Sequence, residues 1–347
     1  MTGEKPGQVK SGHIVGFDYL RTLLSFLVVA WHVNVFGKSS LFDAATFEGH
    51  VFVFSDFLNF HILLLAVPSF IFLSCYLYAR SQPRTEKLIH RLLRFSQLGF
   101  FWTVALLIWN GGARGLEKLV PHSFGSTAMT FLLAGDTPFY FFTCLAFATM
   151  LTHAALLLSR KRCELLFTAA LLIVFVMPLL TLKTGISGLC AFWNPLNFLA
   201  LPFAAVLAVH HGPGSNAKAY KVIGFTLLLS CLFAVFEWRT EVSSQFFPGQ
   251  GYALPGYTRT SITLESIAVV LLFSRITTPP PVWIRYASGR SLSLYCIHPF
   301  LQSFWLPFMV FNSGNQSIVA ISFCCLVLAS YLLSHGLGLF LRDSLLV

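Results

Sequence analysis

Charged side chains are scarce in this sequence of 347 residues, where Asp, Glu, Lys and Arg together make up only 10% and hydrophobic residues make up 56%. A soluble globular domain carries roughly 25% charged residues, because its surface faces water. The composition therefore excludes a soluble domain and requires most of the outer surface to face lipid. The 37 Phe and 7 Trp suit lipid-facing and interfacial positions.

Several sequence signals are also missing. The eight Cys include no C-x-x-C pair, which argues against a metal ribbon or a redox motif, and we predict no metal site. There is no internal repeat and no Pro/Ser-rich linker that would separate a second domain. We therefore expect a cytosolic tail over residues 1–16 and a single transmembrane domain over residues 17–347.

Apolar runs of about the length that crosses a bilayer, roughly 20 residues, fill the chain. Ten such runs lie at Phe17–Phe36, Phe57–Tyr78, Phe95–Trp109, Thr137–Leu158, Glu164–Leu182, Asn194–Val209, Tyr220–Phe236, Arg259–Phe273, Ser291–Phe311 and Ser317–Leu341. They predict an all-α, polytopic membrane protein of about ten transmembrane helices. Within the long loop Asn110–Asp136, we expect Ser126–Leu133 to form an interfacial or re-entrant piece.

The placement of Lys and Arg predicts the orientation, since cytoplasmic loops carry the excess of basic residues. Both tails and alternate loops hold 16 of the 23 Lys and Arg, and Arg21 lies inside the first run. The other loops hold six, namely Lys38, Arg114, Lys118, Lys183, Arg239 and Arg259. This asymmetry places both termini in the cytosol. It also accounts for the net charge of +10 without nucleic acid, which we exclude as a partner.

The first run contains two ionisable side chains, Arg21 and His32, and such groups are costly inside a membrane. Their separation of 11 residues brings both to one side of a helix, about 16 Å apart along its axis. Asp18 precedes Arg21 by three residues and is expected to pair with it. The pattern predicts a cation near the cytosolic mouth and a titratable base deeper in one groove.

The segment Gly16–His32, with Asp18, Arg21 and His32 at these spacings, resembles the opening helix of the membrane acyltransferase-3 family. Three further segments are similar to that family in order and spacing, namely Pro68–Tyr78, Arg91–Arg94 and Ser291–His298. Thr137–Leu145 fits the helix in which the family often has Trp-Phe, although Phe139 and Tyr140 stand there. Cys75 replaces an expected Gly, and the Pro that usually follows the basic pair is absent.

The resemblance implies transfer of an acyl group, usually acetyl from acetyl-CoA, to a carbohydrate hydroxyl. The acceptor class is an exopolysaccharide, a lipopolysaccharide or a lipid-linked oligosaccharide, and the expected location is the cell inner (plasma) membrane. We expect acyl-CoA as a donor substrate and no permanently bound cofactor.

His32 is the first catalytic candidate. A sugar hydroxyl is a weak nucleophile at neutral pH, and histidine is well matched to take its proton. An acyl-imidazole intermediate on His32 is the open alternative. Arg21 at the mouth, with Arg91 and Arg94, is expected to bind the phosphates of coenzyme A, and Asp18 is grouped with these donor-binding residues.

Four further residues complete the predicted site. His298 is expected to line the same cavity and to bind substrate or assist the base, and Tyr295 and Ser291 precede it by one and two turns. Glu265, inside the eighth run, is expected to orient a histidine or to contact the acceptor, because a lone carboxylate there needs a partner or a role. A different class of function also fits, namely a transporter or flippase of a lipid-linked glycan.

Overall fold

The structure is a computed structural model that describes residues 13–36, 54–115, 134, 137–212, 216–241, 254–311 and 315–340. Throughout these ranges the regular elements are all helical, with no β-strand. The all-α prediction is therefore confirmed. The interfacial piece predicted at Ser126–Leu133 lies outside the described residues.

Each of the ten apolar runs contains a helix, and one additional short helix follows the eighth run. The helices are α1 (Gly16–His32), α2 (Phe54–Arg80), α3 (Thr85–Gly115), α4 (Tyr140–Leu156), α5 (Arg160–Thr184), α6 (Ala200–His210), α7 (Asn216–Glu241), α8 (Thr260–Phe273), α9 (Val282–Gly289), α10 (Ser291–Phe311) and α11 (Gln316–Phe340). The additional helix is α9, which is too short and too polar to form a run. Helix α3 begins ten residues before its run, because the polar stretch with Arg91 and Arg94 continues the helix.

Five of the described helices, α2, α3, α5, α7 and α11, are long and apolar enough to cross a membrane, and α4, α6 and α8 are apolar but shorter. The outer helices α5, α7 and α11 present large apolar side chains on their exposed faces, including Leu165, Phe225 and Leu332. Such faces would be unfavourable in water, so the chain is a membrane protein. The number of spans and the side of each terminus stay predictions.

The core lies between α1, α2, α4, α8 and α10, and its buried side chains include Leu20, Phe72, Phe142, Ile262 and Ile297. Helix α1 packs closely against the end of α8. A Cβ atom built on Gly16 would lie 1.7 Å from the carbonyl oxygen of Phe273. Glycine at the start of α1 therefore allows this close approach.

Helix α2 is not uniform. It starts as a single α-turn, continues as a π-helical segment over Leu58–Leu63 and becomes α-helical again from Ala66. Residues Asn59, Phe60 and His61 of the π segment are all buried. The wider helix at this point turns a polar side chain into the core, as π segments at functional sites often do.

Candidate active site

His32 and His298 meet at the centre of the bundle. Helix α1 ends at His32, four residues earlier than the apolar run predicted, and Val33–Phe36 form turns. The His32 ring lies 5.0 Å from the His298 ring between centroids, with a tilt of 44°. Gln302 of α10 donates to the carbonyl oxygen of His32 at 3.2 Å, which fixes the end of α1 beside α10. The structure thus brings together two histidines from opposite ends of the sequence.

The protonation pattern of the neutral His298 ring follows from its contacts. Its Nδ1 lies 3.0 Å from the carbonyl oxygen of Leu294, and a carbonyl only accepts, so Nδ1 carries the proton. The lone pair then resides on Nε2, which is buried and has no hydrogen-bond partner in the described part of the chain. Unpaired buried polar atoms are rare in native structures, so this nitrogen calls for a functional explanation.

A cavity of about 240 Å³ opens beside His32, and we call it the histidine cavity. Its walls are mostly apolar, with a few hydroxyl groups. They are formed by Val28, Trp31, His32, Phe60, Leu63, Leu64, Ala66, Val67, Thr137, Pro138, Tyr140, Phe192, Gly256, Tyr257 and Tyr295. A mostly apolar cavity with a few convergent polar groups is the usual form of a small-molecule site.

A second cavity, of about 390 Å³, is lined by Arg21, Arg91 and Arg94, and we call it the arginine cavity. Ser291 lies in its wall, and the other lining groups are Phe70, Leu73, Ser74, Leu77, Phe95, Leu98, Phe141, Leu145, Leu292 and Tyr295. None of these described lining residues is acidic. The cavity therefore combines three fixed positive charges with an apolar wall.

Arg91 is held in place before any ligand binds. Its guanidinium donates to the hydroxyl of Ser74 and lies over the rings of Tyr78 and Phe95, at 5.2 and 5.3 Å from their centroids. Its Nε is buried and makes no hydrogen bond to the rest of the described chain. Arg21 likewise has no acceptor among the residues that the structure describes. These unused donors are available to an anion.

The two cavities are stacked along the same helices. Helix α1 contributes Arg21 to the arginine cavity and His32 to the histidine cavity, and α2 contributes Ser74 and Val67 in the same way. Seven residues of helix advance about 10 Å, so the cavities occupy successive levels of the bundle. Tyr295 lines both. The sequence predicted one groove from Arg21 to His32, and the structure divides it into two cavities.

The predicted ion pair between Asp18 and Arg21 does not form. The carboxylate of Asp18 contacts His13 Nε2 at 2.8 Å and accepts a hydrogen bond from Ser288 at 2.9 Å. Asp18 is buried and does not line the arginine cavity. Its oxygens attach α9 to the start of α1, and Asp18 acts on Arg21 only as a nearby charge.

Glu265 contacts neither His32, which lines the histidine cavity, nor His298, which was expected there but is not among its described lining residues. Its Oε1 lies 2.9 Å from Nδ1 of His61 and accepts from Ser230 at 3.0 Å. Trp238 donates its indole N–H to Nε2 of His61 at 2.8 Å. His61 therefore uses Nε2 as an acceptor and Nδ1 as a donor to Glu265, so neither nitrogen is available to a substrate.

Arg259 connects this polar group to the wall of the histidine cavity. The sequence placed it in an extracytoplasmic loop, but the side chain is fully buried. It donates to the carbonyl oxygens of Phe60 and Gly256, two residues of that wall, and its Nη1 lies 3.4 Å from Nε2 of His61. Glu237, also buried, accepts from the backbone and hydroxyl of Ser261.

These side chains form a second group, which we call the buried polar network and define as His61, Ser230, Glu237, Trp238, Arg259, Ser261 and Glu265. The sequence did not predict most of this network. Glu265 alone carried a signal, as a carboxylate inside an apolar run. His61 lies in an apolar run with no motif around it, which favours a structural role, and the partners of both its ring nitrogens agree with that role. Arg259 and Glu237 lie at the ends of apolar runs, where a charge reads as a loop residue.

A family model described as an acyltransferase domain matches residues 14–335 of this chain. The match covers nearly the whole sequence, and the chain belongs to the acyltransferase-3 family. It is thus a membrane acyltransferase, and the resemblance drawn from its motifs is confirmed. Searches of curated proteins and of solved structures found no match. The transporter alternative gains no support from the family match.

Proposed function

We propose that the protein transfers an acyl group, acetyl in the first instance, from acyl-CoA to a hydroxyl of a cell-surface or lipid-linked glycan. The observation that carries this proposal is the stacking of a cationic cavity beneath a cavity that contains His32. One cavity suits the phosphates of a donor, and the other offers a base to a hydroxyl. The proposal keeps ten spans, both termini in the cytosol and a location in the cell inner membrane.

The donor binds in the arginine cavity. Arg21, Arg91 and Arg94 carry positive charge in a cavity whose described wall has no acidic residue, so they compensate the diphosphate and the 3′-phosphate of coenzyme A. The apolar side chains between them accommodate the uncharged pantetheine arm. With the termini in the cytosol, this cavity faces the pool of acyl-CoA.

The reaction takes place beside His32. In direct transfer, His32 takes the proton of the acceptor hydroxyl as its oxygen attacks the thioester carbonyl, and the C–S bond breaks to release coenzyme A as a thiolate that is then protonated. In the alternative, a nitrogen of His32 attacks first, and the acyl-imidazole passes the acyl group to the hydroxyl. Both routes form one ester bond and break one thioester bond.

His298 assists His32. Its Nε2 bears a lone pair without a partner and belongs to a ring 5.0 Å from the His32 ring, so it stabilises the proton that His32 takes up. Tyr295 and Ser291, on the same helix, line the donor route. Glu265 bonds His61 behind the histidine cavity and contributes to stability rather than to the chemical step in this proposal.

The test uses a His32→Ala variant and a matched His335→Ala control, in which an exposed histidine of α11 is removed. Ester-linked acetyl on the surface polysaccharide of the expressing cells is measured at equal protein levels. His32→Ala is expected to lower acetylation by about 100-fold or more, and His335→Ala to leave it unchanged. Unchanged acetylation in His32→Ala would sink the catalytic role of His32.

A further inference from the structure

Tyr295 occupies the boundary between the two stacked cavities. It is buried, with 5% of its surface exposed, and its ring forms part of the wall of both cavities. Residues before it on α10, Ser291 and Leu292, line only the arginine cavity. Since α1 and α2 also pass from one cavity to the other, the ring lies in the wall that the two cavities share.

The contacts of Tyr295 hold it across that path. Its hydroxyl donates to the carbonyl oxygen of Pro138, a residue of the histidine cavity. Its ring lies 4.9 Å from the ring of Phe141, a residue of the arginine cavity, and 6.2 Å from Phe142. The tyrosine thus joins α10 to the start of α4 and separates the cavities with an aromatic ring.

On the proposed donor route, an acyl group that moves from the arginines to His32 passes this ring. A permanent opening would let water reach the bound thioester from the opposite cavity and would connect the two faces of the bundle. A ring fixed by one hydrogen bond and by packing against Phe141 and Phe142 can instead give way to a bound chain and return. Loss of that bond costs only a small free energy, because one hydrogen bond contributes little net stability.

We infer that Tyr295 is a barrier residue, which closes the path between the arginine and histidine cavities through its hydrogen bond to Pro138. The acyl arm of the donor displaces the ring when it enters the histidine cavity. This inference rests on the proposed route of the donor, but it concerns passage between the cavities rather than the chemical step.

The test measures passage directly. A Val67→Cys reporter places a thiol in the wall of the histidine cavity, and a charged, membrane-impermeant methanethiosulfonate is added to vesicles from the face that carries Arg94. Mass spectrometry of the reporter peptide gives the rate of modification. A separate Arg94→Cys reporter verifies which face is exposed, because that side chain is open to solvent.

With Tyr295 present, modification of the Val67→Cys reporter is expected to be slow. Tyr295→Ala should accelerate it by about tenfold or more, because the path stays open. Tyr295→Phe keeps the ring and loses the hydrogen bond, so the expected acceleration is about fivefold, which corresponds to about 1 kcal/mol. If Tyr295→Ala does not fold, Tyr295→Phe alone decides.

Tyr331→Ala is the matched control, since it removes a tyrosine of α11 that lines neither cavity. Equal rates with and without the Tyr295 substitutions would overturn the inference, and so would an equal acceleration in Tyr331→Ala. The test distinguishes a wrong inference about the barrier from a wrong proposal about the function. If the Tyr295 substitutions raise the modification rate but the protein transfers no acyl group, the inference about the barrier stands and the proposed function is wrong. If the protein transfers acyl groups but the modification rate does not rise, only the inference about the barrier is wrong.

Discussion

The buried histidines His61 and His298 differ in how many of their ring nitrogens have a hydrogen-bond partner. His61 uses both ring nitrogens, one with Glu265 and the other with Trp238. His298 uses one nitrogen with Leu294 and leaves the other without a partner in the described chain. The hydroxyl of a substrate cannot compete for a ring nitrogen that already has a hydrogen-bond partner. The two bonded nitrogens of His61 therefore indicate a structural role, and the unbonded nitrogen of His298 indicates a functional one.

The buried polar network contacts the wall of the histidine cavity. Arg259 of the buried polar network holds the carbonyls of Phe60 and Gly256, both of which line the histidine cavity. These hydrogen bonds fix the backbone of that wall. Preorganised supports of this kind are what hold catalytic groups in a productive geometry.

The largest expected effect on stability is that of Arg259→Met. The substitution leaves two buried carbonyl oxygens without their donor and removes a buried cation beside His61. The free energy of unfolding should fall by about 3 kcal/mol or more. Thermal unfolding in detergent, followed by intrinsic fluorescence, measures it. Arg84→Met, at an exposed position, is the control, and equal melting temperatures for both variants would contradict the structural role.

His298→Phe tests the opposite side of the comparison. The phenyl ring fills a similar volume and removes the unpaired Nε2, so stability should be maintained or increased. Acyl transfer should nevertheless fall by about tenfold or more, because His32 loses its neighbouring base. Unfolding temperature and initial transfer rate are measured on the same preparation. A variant that is less stable but fully active would indicate that His298, like His61, has a structural role.

Glu265→Gln should show the reverse pattern with a smaller magnitude. The amide replaces a charge-assisted hydrogen bond to His61 with a neutral one, at a cost of about 1 kcal/mol. The melting temperature should therefore drop by a few degrees, while the transfer rate per folded molecule stays at the wild-type value. A normal melting temperature with lost transfer would make Glu265 part of the reaction.

Arg91→Lys should have the mildest consequence, confined to donor binding. Lysine keeps the charge but cannot stack as a plane over Tyr78 and Phe95 or donate bidentately. The KM for acyl-CoA is expected to rise by about tenfold, with kcat nearly unchanged. Arg84→Lys, exposed and outside the arginine cavity, should leave both constants unchanged. An equal KM in the two variants would remove Arg91 from the donor site.

Local sequence patterns predicted the elements of this fold well, because each apolar run is long and continuous. Helix α10 has the predicted bounds, and the spacing of Arg21 and His32 brings both side chains to the interior, since α1 is regular between them. The separation of the two cavities was not predictable. It depends on Tyr295 meeting Pro138, which lies 157 residues away in the chain.

Long-range contacts also explain what the sequence could not show for Asp18 and Arg259. Asp18 was expected to pair with its neighbour Arg21, but its partner Ser288 is 270 residues distant. Arg259 was counted with the extracytoplasmic charges and as the first residue of the eighth run, and its acceptor Phe60 on α2 could not be read from that count. Periodicity reveals which face a side chain occupies, and only the packed bundle reveals what it contacts.

The most direct test of the contrast between the histidine cavity and the buried polar network is a paired measurement on His32→Gln and His61→Gln. Purified protein of each variant is assayed for unfolding temperature and for acetyl transfer per folded molecule. The expected result is a His32→Gln protein that unfolds like wild type and transfers at least about 100-fold more slowly. His61→Gln should unfold at a lower temperature and retain the wild-type rate. An active His32→Gln beside an inactive, stable His61→Gln would contradict the assignment of the active site.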